Sequence, residues 1–137
     1  MVFDPNLLKD QVITNREMMD IFKCGMMGGM RRSRATNTLV IISDHTKNLY
    51  RDKWIGDVLH YTGMGKVGDQ EINFGQNGAL ASYHKNDVDV HLFEVEKKGE
   101  YIYRGRVELA GVPYEDKQLD VNGNNRRVWI FPLKIKQ

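Results

Sequence analysis

Apolar positions change their period along this chain, and the changes predict its elements. From Phe3 to Phe22, Leu7, Leu8, Val12, Met18, Met19 and Phe22 follow a partly amphipathic helical pattern, and Pro5 suits a first turn after Asp4. One helix is predicted there. The segment Cys24 to Thr36 (CGMMGGMRRSRAT) breaks it with glycines and a basic cluster and reads as a loop. Asn37 to Ser43 (NTLVIIS) is β-branched and reads as a buried strand. Asp44 to Lys53 is polar and irregular. Trp54 to Tyr61 (WIGDVLHY) alternates enough for a strand, closed by the turn-forming Thr62-Gly63-Met64-Gly65. Asn77 to His84 suits a short helix. Asp89 to Glu96, Tyr101 to Leu109 and Arg127 to Ile135 read as strands, with Lys97-Lys98-Gly99-Glu100 as a hairpin connection. Gly111 to Asn125 is a polar excursion that reads as a mobile loop.

A helix followed by many short strands, with one helix between them and no βαβ alternation, predicts a single α+β domain around a mixed or barrel-like sheet. The length of 137 residues fits one core, burying about two-thirds of the unfolded surface. With 41% hydrophobic and 28% charged residues the composition is that of an ordinary globular protein. A net charge of +2 is too small to argue for nucleic acid by itself, so the distribution of basic residues matters more than their total. Cys24 is the sole cysteine, which rules out an internal disulfide and any cysteine-based zinc site. No apolar run reaches the ~18 residues of a membrane span, and the first residues carry no signal-peptide core. A soluble, cytoplasmic protein with no membrane partner is expected.

Enzyme signatures are missing. There is no G-x-S-x-G, no H-E-x-x-H and no P-loop, and the four histidines are scattered. Asp44 and His45 are adjacent, which on a strand sends them to opposite faces and favours capping or core roles over an acid–base pair. No metal and no cofactor are expected. The densest positive charge is Arg31-Arg32-Ser33-Arg34, beside flexible glycines, which fits either phosphate contacts or a solvated loop. Lys47, Arg51 and Lys53 interleave with Tyr50 and Trp54, a pattern compatible with a nucleic-acid surface. Tyr50 and Tyr61 are able to sandwich a planar base, and Asp52 to accept a hydrogen bond from the exocyclic amine of cytosine. Thr62 offers a hydroxyl for a remaining polar edge, and a small residue in the wall leaves room for a C5 methyl. The same residues also fit a pair of core aromatics with Asp52 capping a turn. Residue chemistry leaves both open.

The run Thr36 to Gly65 (TNTLVIISDHTKNLYRDKWIGDVLHYTGMG) resembles the central block of SRA (SET and RING-associated, or YDG) domains. The shared features are Thr38-Leu39-Val40, Tyr50 with Asp52, and Tyr61-Thr62-Gly63-Met64-Gly65. Gly28 to Ser33, Gln76 to Ala81, Phe93 to Gly111 and Val128 to Ile135 are similar to the flanking segments of that family. The likeness covers roughly residues 26 to 135 and is greatest to bacterial SRA-like domains fused to HNH endonucleases that restrict DNA carrying modified cytosine. It implies a PUA-like β-barrel of residues 26–137, with residues 1–25 packed on it as a helical segment. It also implies a protein that flips a modified cytosine, 5-methylcytosine or 5-hydroxymethylcytosine, out of duplex DNA.

Carried over by motif, Tyr50, Asp52, Tyr61, Thr62 and Gly63 form the base pocket. Arg31, Arg32, Ser33, Arg34, Lys47, Arg51, Lys53 and Lys66 are the expected contacts to the DNA backbone. Eukaryotic members carry a long basic finger after the YTGxG turn, whereas Lys66 to Asn77 is short and has no arginine. Recognition of a hemimethylated site is therefore not expected. The chain holds no HNH nuclease, so no cleavage is expected of it alone, and an HNH domain is an expected partner in cis or in trans. Two other readings remain: a PUA-like RNA-binding module using the same basic loop, and an enzyme component using Asp44 and His45 on a modified nucleotide.

Overall fold

The computed structural model describes residues 2–47 and 49–136. Its strands are β1 (Val12–Ile13), β2 (Met30–Ser33), β3 (Thr38–Asp44), β4 (Lys53–Ile55), β5 (Val58–Thr62), β6 (Asp89–Lys97), β7 (Glu100–Leu109), β8 (Tyr114–Leu119) and β9 (Asn125–Ile135). Its helices are α1 (Asn15–Phe22) and α2 (Gln76–Ala81), with a 3-10 turn at Tyr83–Lys85. All strands belong to one sheet in the order β2-β3-β6-β7-β9-β5-β4, with β1 added to β7 and β8 to β9. Strand β3 runs parallel to β6, and every other pair is antiparallel.

Strand periodicity builds two cores. Successive residues of a strand point to opposite faces, so Leu39 and Ile41 enter one core while Val40 and Ile42 enter the other. The first core lies inside the curl of the sheet, where Leu59, Leu92, Phe131 and Leu133 meet Leu80 of α2. The second lies outside it, where Met18 and Phe22 of α1 cover Phe93 and Val95. Burial of this kind contributes roughly 25 cal/mol per Å² of apolar surface, which is why the doubly buried β3 anchors the fold.

The curl does not close. Among the described residues β2 pairs with β3 and β4 with β5, and nothing joins β2 to β4. The expected barrel is therefore an open sheet with a seam. Side chains bridge that seam in place of a strand ladder: the Tyr61 hydroxyl of β5 donates to the carbonyls of Gly29 (2.9 Å) and Ile42 (3.2 Å).

Four local expectations are corrected. The helix from Phe3 is confined to Asn15–Phe22. Asn6 and Asp10 sit at positive φ (57° and 70°), which interrupts a helix, and the true start is a capping box. Thr14 Oγ1 accepts from Glu17 N (3.1 Å), and Thr14 N donates to Glu17 Oε1 (2.9 Å). Met30–Ser33, read as loop, is strand β2. The single strand Trp54 to Tyr61 is a hairpin, β4 and β5, turned at Gly56 with φ 61°. Part of the polar excursion is strand β8, paired along β9 from Tyr114↔Ile130 to Leu119↔Asn125.

His91 on β6 is fully buried between Phe22, with ring centroids 5.0 Å apart, and Tyr103, whose hydroxyl lies 2.9 Å from Nδ1. Nε2 has no partner among the described residues. Burial, followed by the nearby Arg106 charge, lowers its pKa from 6.5 to about 4. Because the unfolded chain takes up this proton first, the neutral His91 contributes stability above pH ~6.5, lost as pH falls toward ~4 and amounting to about 3 kcal/mol. Urea unfolding of wild type should therefore weaken across that window, and His91→Gln should weaken less. An equal pH dependence in the two proteins would refute this role for His91.

Candidate functional site

The sheet seam opens into a cavity of about 940 Å³, lined by the end of β3, the segment before β4, the end of β5 and the turn that follows it. That size lies within the roughly 300–1,000 Å³ of sites that enclose a small molecule. Asp52 sits in its wall and is tied to two strands. Oδ2 accepts from Ser43 Oγ of β3 (2.7 Å), and Oδ1 accepts from Thr62 N of β5 (2.7 Å). Burial pushes the Asp52 carboxyl above the ordinary aspartate range, and the donors from Thr62 and Ser43 work against that rise. Each carboxylate oxygen has room for a second hydrogen bond, so Asp52 retains acceptor capacity toward the cavity. Tyr50, half-buried, accepts from Gly65 N through its hydroxyl (3.3 Å), which leaves its ring beside the cavity.

The Thr62–Gly65 turn is held from behind by three buried polar side chains. Gln70 Nε2 donates to Gly63 O (2.7 Å), while Gln70 Oε1 accepts from Trp129 N (2.9 Å). Asn77 Oδ1 accepts from Met64 N (2.7 Å), and Asn77 Nδ2 donates to Met64 O (3.0 Å) and Glu71 O (3.1 Å). Arg126 Nη1 donates to Gly65 O (2.5 Å) and Gly68 O (3.1 Å). At exposures of 2%, 0% and 4% these side chains are shielded from water, so the turn's backbone groups take the place of solvent for Gln70, Asn77 and Arg126 Nη1. A Cβ at Gly63 would come within 2.8 Å of Asn77 Oδ1, so glycine is needed for this close packing. Sequence reasoning missed Gln70 and Arg126, and noted Asn77 as part of a motif without a role.

The remaining candidates divide sharply. Tyr61, Thr62 and Gly63 line the cavity beside Tyr50 and Asp52, but Tyr61 is 3% exposed and its hydroxyl is spent on the seam. Thr62 Oγ1 accepts from Gln118 Nε2 (3.0 Å), a residue of β8 that sequence reasoning left in a loop. Lys47 and Lys66 are exposed at the cavity, and Arg51 and Lys53 are exposed on either side of Asp52. The basic cluster is corrected. Arg31 is buried: Nε donates to Gly28 O (2.9 Å), and Nη1 to Asn15 Oδ1 (2.5 Å) and Gly25 O (3.3 Å). Ser33 is also buried, with Oγ donating to Lys23 O (3.1 Å). Neither is free to touch a phosphate. Arg32 bonds Thr38 O and Asn37 Oδ1, and exposed Arg34 lies at the Thr38 end of the β2–β3 hairpin, away from Ser43 and the cavity.

Asp44 and His45 do not converge either. Asp44 Oδ1 accepts from the backbone and hydroxyl of Thr46, whereas His45 Nε2 lies 2.7 Å from Glu94 Oε2. Glu94 also accepts from Trp54 Nε1 (3.0 Å) and Arg104 Nε (2.8 Å). Burial would raise its carboxyl, but the bonds from His45, Trp54 and Arg104 outweigh it and hold the group below the ordinary range. The acid–base pair is thereby overturned. Among the described residues no group of three or more His, Cys, Asp or Glu is placed to hold a metal, and no helix is long and apolar enough to cross a membrane.

A family model described as "ScoMcrA-like, SRA domain" matches residues 9–136. Among solved structures, the sulfur binding domain and SRA domain of ScoMcrA complexed with phosphorothioated DNA superimposes with a TM-score of 0.77 at 19% identity, over 95% of this chain and 40% of that one. The Type IV phosphorothioation-dependent restriction endonuclease ScoMcrA gives 0.76 at 19% identity, over 95% of this chain and 26% of its own. The SUVH5 SRA domain bound to fully hydroxymethylated CG DNA gives 0.70 at 20% identity, over 99% of this chain and 94% of that one. At these identities the likeness is one of fold. The chain thus spans less than half of either ScoMcrA structure. No match is found among curated proteins.

Two substitutions test the site's architecture. Gly63→Ala should displace Asn77 from Met64 and lower stability by about 1–3 kcal/mol, the penalty of an unmade buried hydrogen bond, read as a lower urea midpoint. Arg31→Leu should likewise lower the urea midpoint while leaving the salt dependence of any DNA binding unchanged. A flatter salt slope in a fully stable Arg31→Leu protein would restore the phosphate role.

Proposed function

Because the chain belongs to the ScoMcrA-like SRA domain family, we propose that it reads modified DNA by taking a modified cytosine, flipped out of the duplex, into the seam cavity. The observation that carries this reading is the Asp52 carboxylate, half-buried in the cavity wall and fixed by Ser43 and Thr62 with acceptor capacity left over. A flipped cytosine brings an amino group that needs such an acceptor. Tyr50 stacks on one face of the base and the Tyr61 ring forms the floor, each face contributing about 1–3 kcal/mol. The gain offsets an unstacking cost of a few kcal/mol. Gly63 lets the turn pack tightly on Asn77 behind the cavity wall, and Met64 is among the apolar residues lining the space that receives the base.

Exposed Lys47, Arg51, Lys53 and Lys66 then lie along the DNA backbone, where they add a salt-dependent term blind to sequence. In this reading the chain is the recognition part of a modification-dependent restriction system in the cytoplasm. Strand scission would fall to an HNH nuclease domain acting in cis or in trans, and this domain itself performs no chemistry.

Fluorescence anisotropy at fixed, near-physiological salt tests the reading with matched duplexes. They carry cytosine, 5-methylcytosine, 5-hydroxymethylcytosine or a backbone phosphorothioate. One cytosine modification should be preferred over plain cytosine by about tenfold or more, ~1.4 kcal/mol. Asp52→Asn should erase that preference, and Tyr50→Ala should weaken binding of the preferred duplex by the ~1–3 kcal/mol of one stacked face. Equal binding of the cytosine, 5-methylcytosine and 5-hydroxymethylcytosine duplexes would overturn the base-pocket reading, and preference for the phosphorothioate alone would move recognition to the backbone.

A further inference from the structure

We propose that Gln118 is a positioning residue that makes the pocket accept 5-methylcytosine and reject thymine, by fixing the direction of the hydrogen bonds that end on Asp52. The inference rests on the base-pocket reading above. It concerns a discrimination that shape does not provide, since the two bases carry the same methyl group at the same ring position. They differ on the Watson–Crick edge, where cytosine presents an amino donor beside an N3 acceptor and thymine presents a carbonyl acceptor beside an N3–H donor. Only the polarity of the pocket separates them.

Gln118 is 9% exposed on β8 and reaches across to β5. Its Oε1 accepts from the backbone N–H of Arg51 (3.3 Å), and its Nε2 donates to Thr62 Oγ1 (3.0 Å). A backbone N–H is a donor under all conditions, so the amide orientation follows from chemistry and not from electron counting. The consequence passes along the chain. The Thr62 hydroxyl receives from Gln118, so its single hydrogen is free to turn toward the neighbouring Asp52 carboxylate. Asp52 also receives from Thr62 N and Ser43 Oγ. These donors work against the burial that raises the Asp52 carboxyl and so favour its ionised form. An ionised carboxylate accepts only, so it welcomes the cytosine amine and meets the thymine carbonyl with acceptor against acceptor. Sites built this way reject the wrong partner strongly, because a buried polar group stays unpaired.

Gln118→Glu reverses the chain. A carboxylate at this position draws the Thr62 hydrogen toward itself and places a second negative charge near Asp52, which favours a proton on Asp52. A protonated Asp52 is able to donate to the thymine carbonyl. Gln118→Met keeps the shape of the side chain while removing both polar atoms, so the Thr62 hydroxyl loses its fixed direction.

The test is competition anisotropy with duplexes identical except for one central pair: 5-methylcytosine opposite guanine, cytosine opposite guanine, or thymine opposite guanine. Wild type should prefer 5-methylcytosine over thymine by about tenfold or more, although a mismatched thymine is easier to flip. Gln118→Glu and Gln118→Met, checked for folding by urea unfolding, should each reduce that ratio by about fivefold or more. In a Thr62→Val background, where the chain is already cut, replacing Gln118 should change the ratio by less than about twofold, the signature of coupled residues. A folded Gln118 variant with the wild-type ratio, or an undiminished effect in Thr62→Val, would overturn the inference and leave the base pocket standing. Equal wild-type binding of all three duplexes would instead overturn the base pocket itself.

Discussion

A carboxylate taken out of water has to be surrounded by donors, and Asp52 obtains its donors from strands that are not neighbours in the sheet. Ser43 belongs to β3 and Thr62 to β5, with β6, β7 and β9 between them in sheet order. The bonds therefore run across the seam where β2 and β4 fail to pair. Tyr61 bridges the same seam through Gly29 and Ile42, and Trp54 of β4 reaches Glu94 of β6. A strand ladder at this place would satisfy the backbone and leave no cavity. Side-chain bridges hold the curl together and leave an opening into which part of a ligand can enter. The seam is thus both the weakest join in the sheet and its candidate site.

The second requirement is a rigid turn after β5. Gln70, Asn77 and Arg126 come from three different parts of the chain, and each bonds backbone groups of Thr62–Gly65 or its immediate continuation. Buried groups of this type are costly when unpaired, and the turn supplies partners for Gln70, Asn77 and Arg126 Nη1. The site is organised before any ligand arrives, which spares binding part of its ordering cost. The N-terminal segment serves the same end at a distance. Arg31 fastens the glycine-rich stretch to α1, and that stretch supplies the carbonyl of Gly29 for Tyr61.

Much of this was legible in the sequence, and what was not has definite causes. The β-branched run of β3, the strands β6, β7 and β9 and the TGMG turn follow from period and turn chemistry, and Tyr50, Asp52 and Tyr61 to Gly65 line one cavity. The N-terminal helix was overextended because apolar spacing cannot register that Asn6 and Asp10 adopt positive φ. The capping box Thr14-x-x-Glu17 was nevertheless in plain view. The charge of Arg31 suggests exposure, whereas in a short strand it faces α1 and exchanges water for backbone carbonyls and Asn15. Strand β8 was invisible because Tyr114–Leu119 is mostly solvent-facing, with Gln118 as its one buried residue. Polar side chains that act over long separations, such as Gln70, Arg126 and Gln118, leave no periodic trace. Only the fold brings them to the turn.

The central claim is that the seam cavity receives a base lifted out of the helix, and base unstacking reports on it directly. A fluorescent adenine analogue, quenched by stacking, is placed next to the modified cytosine in a duplex, and its emission is followed as protein is added. The account predicts a saturable rise with wild type, absent with Asp52→Asn at concentrations where that variant still binds DNA through its surface cations. Saturated binding of wild type with no change in emission would contradict it, because the base would then have remained in the stack.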